Sequence, residues 1–340
     1  MVVAVFAFAL PKIADFSDVG KQLKDMSWME LGTLFLASIW NIASYWWVGM
    51  SSLPGSNVWQ VMKVTATSTA VANSLPGGGA IGVGVTYGMY SQYGFTKAEI
   101  SLSILVTGVW NNFVKLGMPV VALLLLVIQD QATSGLVVAS LVGLAVLVGA
   151  MVLFALILMS EKGAVAVGEW LSRVISRFRG LFGKDPVLGW GEGFARFRRD
   201  CIGLLRRRWF SLTLSTVVSH LSLYFVLFLC LRHVGVSASE VSWVEALAAF
   251  AFIRLITALP ITPGGLGVVE LGATAALVAA GGEEAAVVAG VLVYRALTYL
   301  LPIPFGLATY LRWRQGSSRR KETLESAKAN AFAAAEDGQR

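Results

Sequence analysis

Two long windows of the chain are almost free of charge: Leu136 to Met159, and Trp209 to Leu231, the latter interrupted only by His220. Each matches the roughly 20 residues that an α-helix needs to cross about 30 Å of hydrocarbon. Shorter apolar segments fill much of the remainder: Ser27 to Met50, Val58 to Ser74, Ile100 to Val114, Leu116 to Ile128, Val241 to Leu259, Val268 to Ala280 and Ala285 to Leu311. Several are broken by glycine, proline or polar residues. In lipid, such breaks survive only where other helices or a water-filled cavity satisfy the freed backbone groups, so these segments are expected inside a helical bundle. The pattern predicts an all-α, polytopic membrane protein.

The polar stretches set its organisation. Between the two long windows, Glu161 to Arg208 is strongly basic and includes Arg196, Arg198, Arg199 and the run Arg206 to Arg208. The positive-inside rule makes this loop cytoplasmic. Within it, Val167, Trp170, Leu171, Val174, Ile175, Phe178 and Phe182 recur at helical spacing among Arg173, Arg177 and Arg179. That spacing fits either an amphipathic helix in the headgroup plane or a solvated linker with snorkelling arginines. The tail from Arg312 is basic at first and then rich in Ala and Glu, and reads as cytoplasmic too. Loop and tail on one side require an even number of crossings between Trp209 and Leu311, where four apolar segments are available. The expected layout is a first membrane half over 1–160, a basic loop over 161–208, a second half over 209–311 and a tail over 312–340, in an inner or plasma membrane. Val2 to Leu10 is too short to span, and is expected to be an interfacial segment or the remnant of a longer first helix.

Composition narrows the function. Apolar residues form 56% and charged residues 14% of 340 positions, outside the range of soluble globular chains. The net charge of +7 is grouped between the apolar spans, which indicates membrane topology and not a nucleic-acid surface. Two cysteines and two histidines leave nothing for a disulfide framework, a metal centre or a histidine-based triad. There is no Walker A sequence, so neither a cofactor nor enzymatic chemistry is expected.

An internal duplication is visible. Pro76-Gly77-Gly78-Gly79 recurs as Pro263-Gly264-Gly265-Leu266, and Gly94 follows the first motif by the same interval at which Gly281 follows the second. Each copy continues into a helix with an aromatic and polar centre, Trp110-Asn111-Asn112 in one and Tyr294-Arg295 in the other, and then meets proline. Paired halves with hydrophobic segments broken at corresponding positions are a mark of transporter-like folds, whose substrates bind between the repeats near the midplane. The reading is therefore two repeated halves containing Pro-Gly-Gly-broken helices, re-entrant or spanning, with parallel or inverted orientation open.

Candidate chemistry gathers at these breaks. A helix starting near Gly265 directs unpaired amides and its positive dipole end at an anion, and Leu75 to Gly82 offers the same device in the other half; alternatively, the glycines only permit close helix crossing. Arg254, Glu270, Arg295 and Lys115 lie in or beside apolar stretches, where a lone charge costs at least about 2.5–3.5 kcal/mol. Arg254 and Arg295 are candidate headgroup anchors with Glu270 as their balance, or Glu270 and Arg295 are an ion pair that locks two helices. Lys115 is expected to snorkel.

At these residues the chain resembles the flippase-like membrane domain of lysylphosphatidylglycerol synthases, a family that also has stand-alone members. The resemblance runs to about Arg314 and is strongest at Pro263-Gly264-Gly265-Leu266-Gly267, Glu270, Val293-Tyr294-Arg295, Pro302 and Gly306, with Pro76 to Gly79 matching in the first half. Members commonly carry an arginine after the first motif and later a Glu-Arg pair, where this chain has Val83-Gly84-Val85 and Trp110-Asn111-Asn112. The resemblance implies movement or binding of a lipid or lipid-linked headgroup, with aminoacyl transfer belonging to a separate soluble domain. Membrane lipids are thus the expected partners. A second expectation is an accessory module that docks a lipid-modifying or glycosyl-transferring enzyme through its loop and tail. A third, weaker one is an intramembrane transferase with Glu270 as base.

Overall fold

The computed structural model describes residues 26–75, 77–129, 134–180, 185, 189–257 and 265–316. The described chain is helical: α1 Trp28–Ser52, α2 Val58–Ser74, α3 Gly78–Gln92, α4 Lys97–Ile128, α5 Ser134–Met159, α6 Glu161–Gly180, α7 Trp190–His233, α8 Trp243–Ile256, α9 Val268–Ala279 and α10 Glu284–Gly316. The segment Val2 to Leu10 and most of the tail lie outside the described residues.

Local chemistry sets many of the starts. Capping boxes open α1 (Ser27 with Glu30), α2 (Asn57 with Gln60), α4 (Thr96 with Glu99) and α8 (Ser242 with Glu245). In each, side chain and backbone satisfy one another's free amides.

Three helices, α4, α7 and α10, are individually long and apolar enough to cross a membrane. The apolar segments on either side of Lys115, expected to be separate, are one 32-residue helix with Pro119 inside it. The ring removes the N–H that would otherwise bond the Lys115 carbonyl one turn back. Helix α7 has 44 residues, about 66 Å at 1.5 Å per residue, so it carries the Trp209 to Leu231 window and also continues back through the arginines to Trp190. Helix α5, largely exposed, holds the other long window and turns by 102° into α6. Arg198 of α7 closes that corner: its Nε donates to the Leu158 carbonyl at 2.6 Å and its Nη2 to the Met159 carbonyl at 3.2 Å. Helix α6 is no solvated linker, since Ala164 and Gly168 are buried and a Cβ on Gly168 would sit 2.6 Å from the Trp190 carbonyl oxygen on α7.

Side chains orient α1 and α7 against each other. His233 Nε2, at the end of α7, lies 2.8 Å from the Thr33 hydroxyl near the start of α1, whereas Ser51 and Ser211 are bonded at 2.8 Å at the other end. The two helices are antiparallel. Between these points the Asn41 amide donates to Ser222 Oγ at 3.0 Å, and Ser44 joins Ser222 at 3.2 Å. Small and polar residues along such a seam let helices approach closely in lipid.

The remaining long helices alternate in direction, and each short pair hangs from one end. Helices α2 and α3 start and finish beside Ser52, Arg208 and Trp313; the Trp313 indole donates to Gln92 Oε1 at 2.7 Å. Helices α8 and α9 start and finish beside His233, where Arg232 donates to the Val236 and Val241 carbonyls at 2.7 Å. With 17, 15, 14 and 12 residues, the four short helices are only about 18–26 Å long, below the roughly 30 Å of hydrocarbon. Between Trp209 and Leu311, where four crossing segments are expected, two helices, α7 and α10, are long and apolar enough to cross.

Contacts within α1–α4 have counterparts within α7–α10: α1 with α2 and α4, α2 with α3, and α3 with α4 correspond to α7 with α8 and α10, α8 with α9, and α9 with α10. Between the sets, α4 touches α7 and α8, while α10 touches α1 and α2. Helices α5 and α6 stand outside this correspondence.

The exterior is apolar. Val138, Leu141, Val142, Leu153 and Leu156 of α5 are exposed, as are Trp40, Leu105 and Phe225 elsewhere. Exposed tryptophans ring both ends: Trp28 and Trp243 at one, Trp59 and Trp209 at the other, the levels at which amphipathic rings prefer to sit. Serines, threonines, His220, Glu270 and Arg295 are inside.

Candidate functional site

Helix α9 begins at Gly267, whose φ of +80° suits glycine, and one turn later presents Glu270. Glu270 is 2% exposed and Arg295 of α10 is 6% exposed. Arg295 Nε donates to Glu270 Oε1 at 2.8 Å, and the Gly267 amide donates to Oε2 at 2.8 Å. The anion at this helix start is therefore the protein's own carboxylate. It serves the helix dipole, one free amide and a guanidinium at once.

From Arg295 the chain passes into a π turn, Ala296–Leu300, closed by the Leu301 amide on the Ala296 carbonyl at 2.9 Å. The turn places the Tyr299 ring under Arg295, with the guanidinium carbon 4.5 Å from the ring centre. Tyr299 also reaches the first hairpin: its hydroxyl donates to the Asn73 carbonyl at 2.6 Å, and the Asn73 amide donates to the Tyr299 carbonyl at 3.3 Å. Further along α10, Gly306 lies against the Ala66 carbonyl and Thr309 bonds Thr67 at 2.8 Å. The last turn of α2 and the first turn of α9 are thereby joined through five residues of α10. Tyr299→Phe keeps the ring under Arg295 but strands the Asn73 carbonyl, so we expect a loss of about 1 kcal/mol in unfolding measurements, whereas an unchanged transition would mean that water takes over the bond.

A second charged group lies beside the first. Lys115 of α4, Arg254 of α8 and His220 of α7 are within electrostatic reach of one another, and Tyr294 lies within reach of both Arg254 and Arg295. Among the described residues neither Lys115 nor Arg254 has an ion-pair or hydrogen-bond partner for its side chain. His220 Nδ1 lies 3.0 Å from the Thr216 carbonyl, while His220 Nε2, Arg254 Nε and Ser219 Oγ are buried with no partner. A separate, almost wholly apolar cavity of about 480 Å³ lies between α4, α5 and the start of α7, lined by Val106, Val109, Phe154, Trp190 and Phe197.

The family model for the lysylphosphatidylglycerol synthase TM region matches residues 1–306. The chain belongs to this family. A search of curated proteins found no match. Membership, together with the apolar exterior and the long helices, makes this a multi-pass integral membrane protein.

Within this lysylphosphatidylglycerol synthase transmembrane-region chain, the predicted site residues have different fates. Glu270, Arg295, Tyr294, Arg254, Gly265 and Gly267 cluster around the start of α9, and Glu270 and Arg295 do form the ion pair. Pro76, Pro263 and Gly264 lie outside the described residues. Gly77, with φ of +66°, caps α3, and Gly78 permits close crossing: a Cβ there would be 2.5 Å from the Ala72 carbonyl oxygen. A Cβ on Gly79 would meet nothing within 4 Å. Among the described residues Asn111 and Asn112 find no side-chain hydrogen-bond partner, and Asn112 is exposed. Lys115 lies near the middle of α4 beside Arg254, not at an end where its amine could snorkel. His220, Tyr299 and Asn73 escaped the sequence reading. The one signal for His220 was its solitary place in an otherwise apolar window.

Proposed function

We propose that this protein binds a lipid or lipid-linked headgroup at mid-depth and translocates it across the cytoplasmic membrane. The observation that carries this reading is the pair of short-helix hairpins that enter from opposite ends and are tied to one charged centre. Such hairpins open a polar path through a bundle while acyl chains stay in the lipid. The matched contacts of α1–α4 and α7–α10, with α1 antiparallel to α7, support an inverted repeat. In this reading Arg254, Tyr294 and the Pro-Gly-Gly breaks contact the headgroup, and the Glu270 to Arg295 pair holds the second hairpin in place. The basic end of α7, α6 and the tail face the cytoplasm.

The test is reconstitution of the purified protein into vesicles containing phospholipids fluorescently labelled on the headgroup. Label should equilibrate between leaflets faster than in protein-free vesicles or in vesicles with an unrelated helical protein. Equal rates would remove translocation and leave the accessory-module reading, which the exposed Trp170 and Phe178 on α6 favour and which predicts co-purification with a fixed enzyme partner.

A further inference from the structure

We propose that Arg254, Lys115 and His220 form a site for an oxyanion that also carries a hydroxyl, such as the phosphate of a lipid headgroup or of a free phosphate compound. That the ligand is a lipid rests on the translocation reading; that it is an oxyanion does not.

The argument starts from cost. Two cations on neighbouring helices, inside a membrane bundle and without a carboxylate, repel each other and each carries an insertion penalty. Among the described residues the one buried carboxylate, Glu270, is occupied by Arg295 and the Gly267 amide. Like charges held together at membrane depth are the electrostatic complement of an anion. The orphaned polar atoms point the same way. Arg254 Nε is a buried donor with no acceptor.

His220 refines the chemistry. A carbonyl can only accept, so the Thr216 contact puts the proton on Nδ1, and in the neutral ring the 2%-exposed side chain offers Nε2 as an acceptor. A ligand that satisfies all three residues presents oxygen acceptors to Arg254 and Lys115, and a hydroxyl hydrogen to His220. A phosphomonoester monoanion does both, as does a phosphodiester with a polyol hydroxyl. A cationic amine headgroup would meet two like charges and no available carboxylate among the described residues.

The experiment is thermal unfolding of the detergent-solubilised full chain with dioctanoyl phosphatidic acid, dioctanoylglycerol or inorganic phosphate. Phosphatidic acid should raise the transition temperature in a concentration-dependent way and dioctanoylglycerol should not. Arg254→Gln and Lys115→Gln should each weaken the apparent affinity about tenfold or more. Both should also raise the transition of the ligand-free protein, because each removes an uncompensated, half-buried charge; a purely structural cation would lower it. Neither side chain has a hydrogen-bond or ion-pair partner among the described residues, so each neutral variant is expected to fold, and either one tests the site. Equal shifts from phosphatidic acid and dioctanoylglycerol, or unchanged affinity in Lys115→Gln, would overturn the site. A shift from inorganic phosphate as large as that from phosphatidic acid would support the oxyanion site and assign it to free phosphate. Phosphatidic acid binding without accelerated lipid exchange in vesicles would leave the site standing and count against translocation alone.

Discussion

Arg295→Met is expected to destabilise the protein by about 3–5 kcal/mol, and adding Glu270→Gln to it to restore a large part of that loss. The reason lies in what each variant leaves behind. Without Arg295, a 2%-exposed carboxylate keeps, among the described residues, only the Gly267 amide, and an ionised group with one donor at membrane depth is strongly disfavoured. The neutral amide of the double variant can still accept from Gly267, and needs no guanidinium. Denaturant or thermal unfolding in detergent measures all three proteins. Additive losses in the double variant would mean that the two side chains do not act as a pair, and that the join between α9 and α10 has another source.

The second large effect is expected at Gly306. Its Cβ, once added, would collide with the Ala66 carbonyl and lie 2.5 Å from the Ala70 Cβ, so even Gly306→Ala must push α2 away from α10. Overpacking of this kind costs about 1–3 kcal/mol, and separation also weakens the Thr67 to Thr309 and Asn73 to Tyr299 bonds at about 1 kcal/mol each. Gly108→Ala is the control. Gly108 sits in α4 with nothing within 4 Å of a Cβ, and alanine there should gain up to about 1 kcal/mol of helix propensity. The two substitutions should therefore differ in sign, and a Gly306→Ala protein as stable as Gly108→Ala would show that α2 and α10 do not cross closely.

Much of this could be read from the chain alone. The apolar windows announced a membrane bundle because lipid tolerates few other patterns, and the Pro-Gly-Gly motifs announced helix breaks because proline and glycine act on the backbone directly. Glu270 and Arg295 stand out as charges in apolar surroundings, and a lone charge there needs either a partner or a ligand. What stayed hidden depends on contacts distant in sequence. Ile100 to Val114 and Leu116 to Ile128 looked like separate segments because Lys115 interrupts the apolar run, but one helix runs through both Lys115 and Pro119. Trp190 to Arg208 looked like a loop because charge density obscures a helix that leaves the membrane. Lys115 resembled a snorkelling lysine because nothing local reveals that Arg254, on another helix, lies beside it. Asn73 and Tyr299 gave no signal, since a polar residue near a helix end has many ordinary explanations.

The wide turn at Ala296–Leu300 has a geometric consequence for α10. An α-helix advances about 100° per residue, so accommodating one extra residue in a π turn rotates everything downstream by about that amount relative to a regular helix. The upstream part of α10 aims Arg295 at α9, and the downstream part aims Gly306 and Thr309 at α2. The turn thus works as an indexing offset: it lets one rod dock two hairpins on azimuths that a uniform 3.6-residue pitch would not bring into line together.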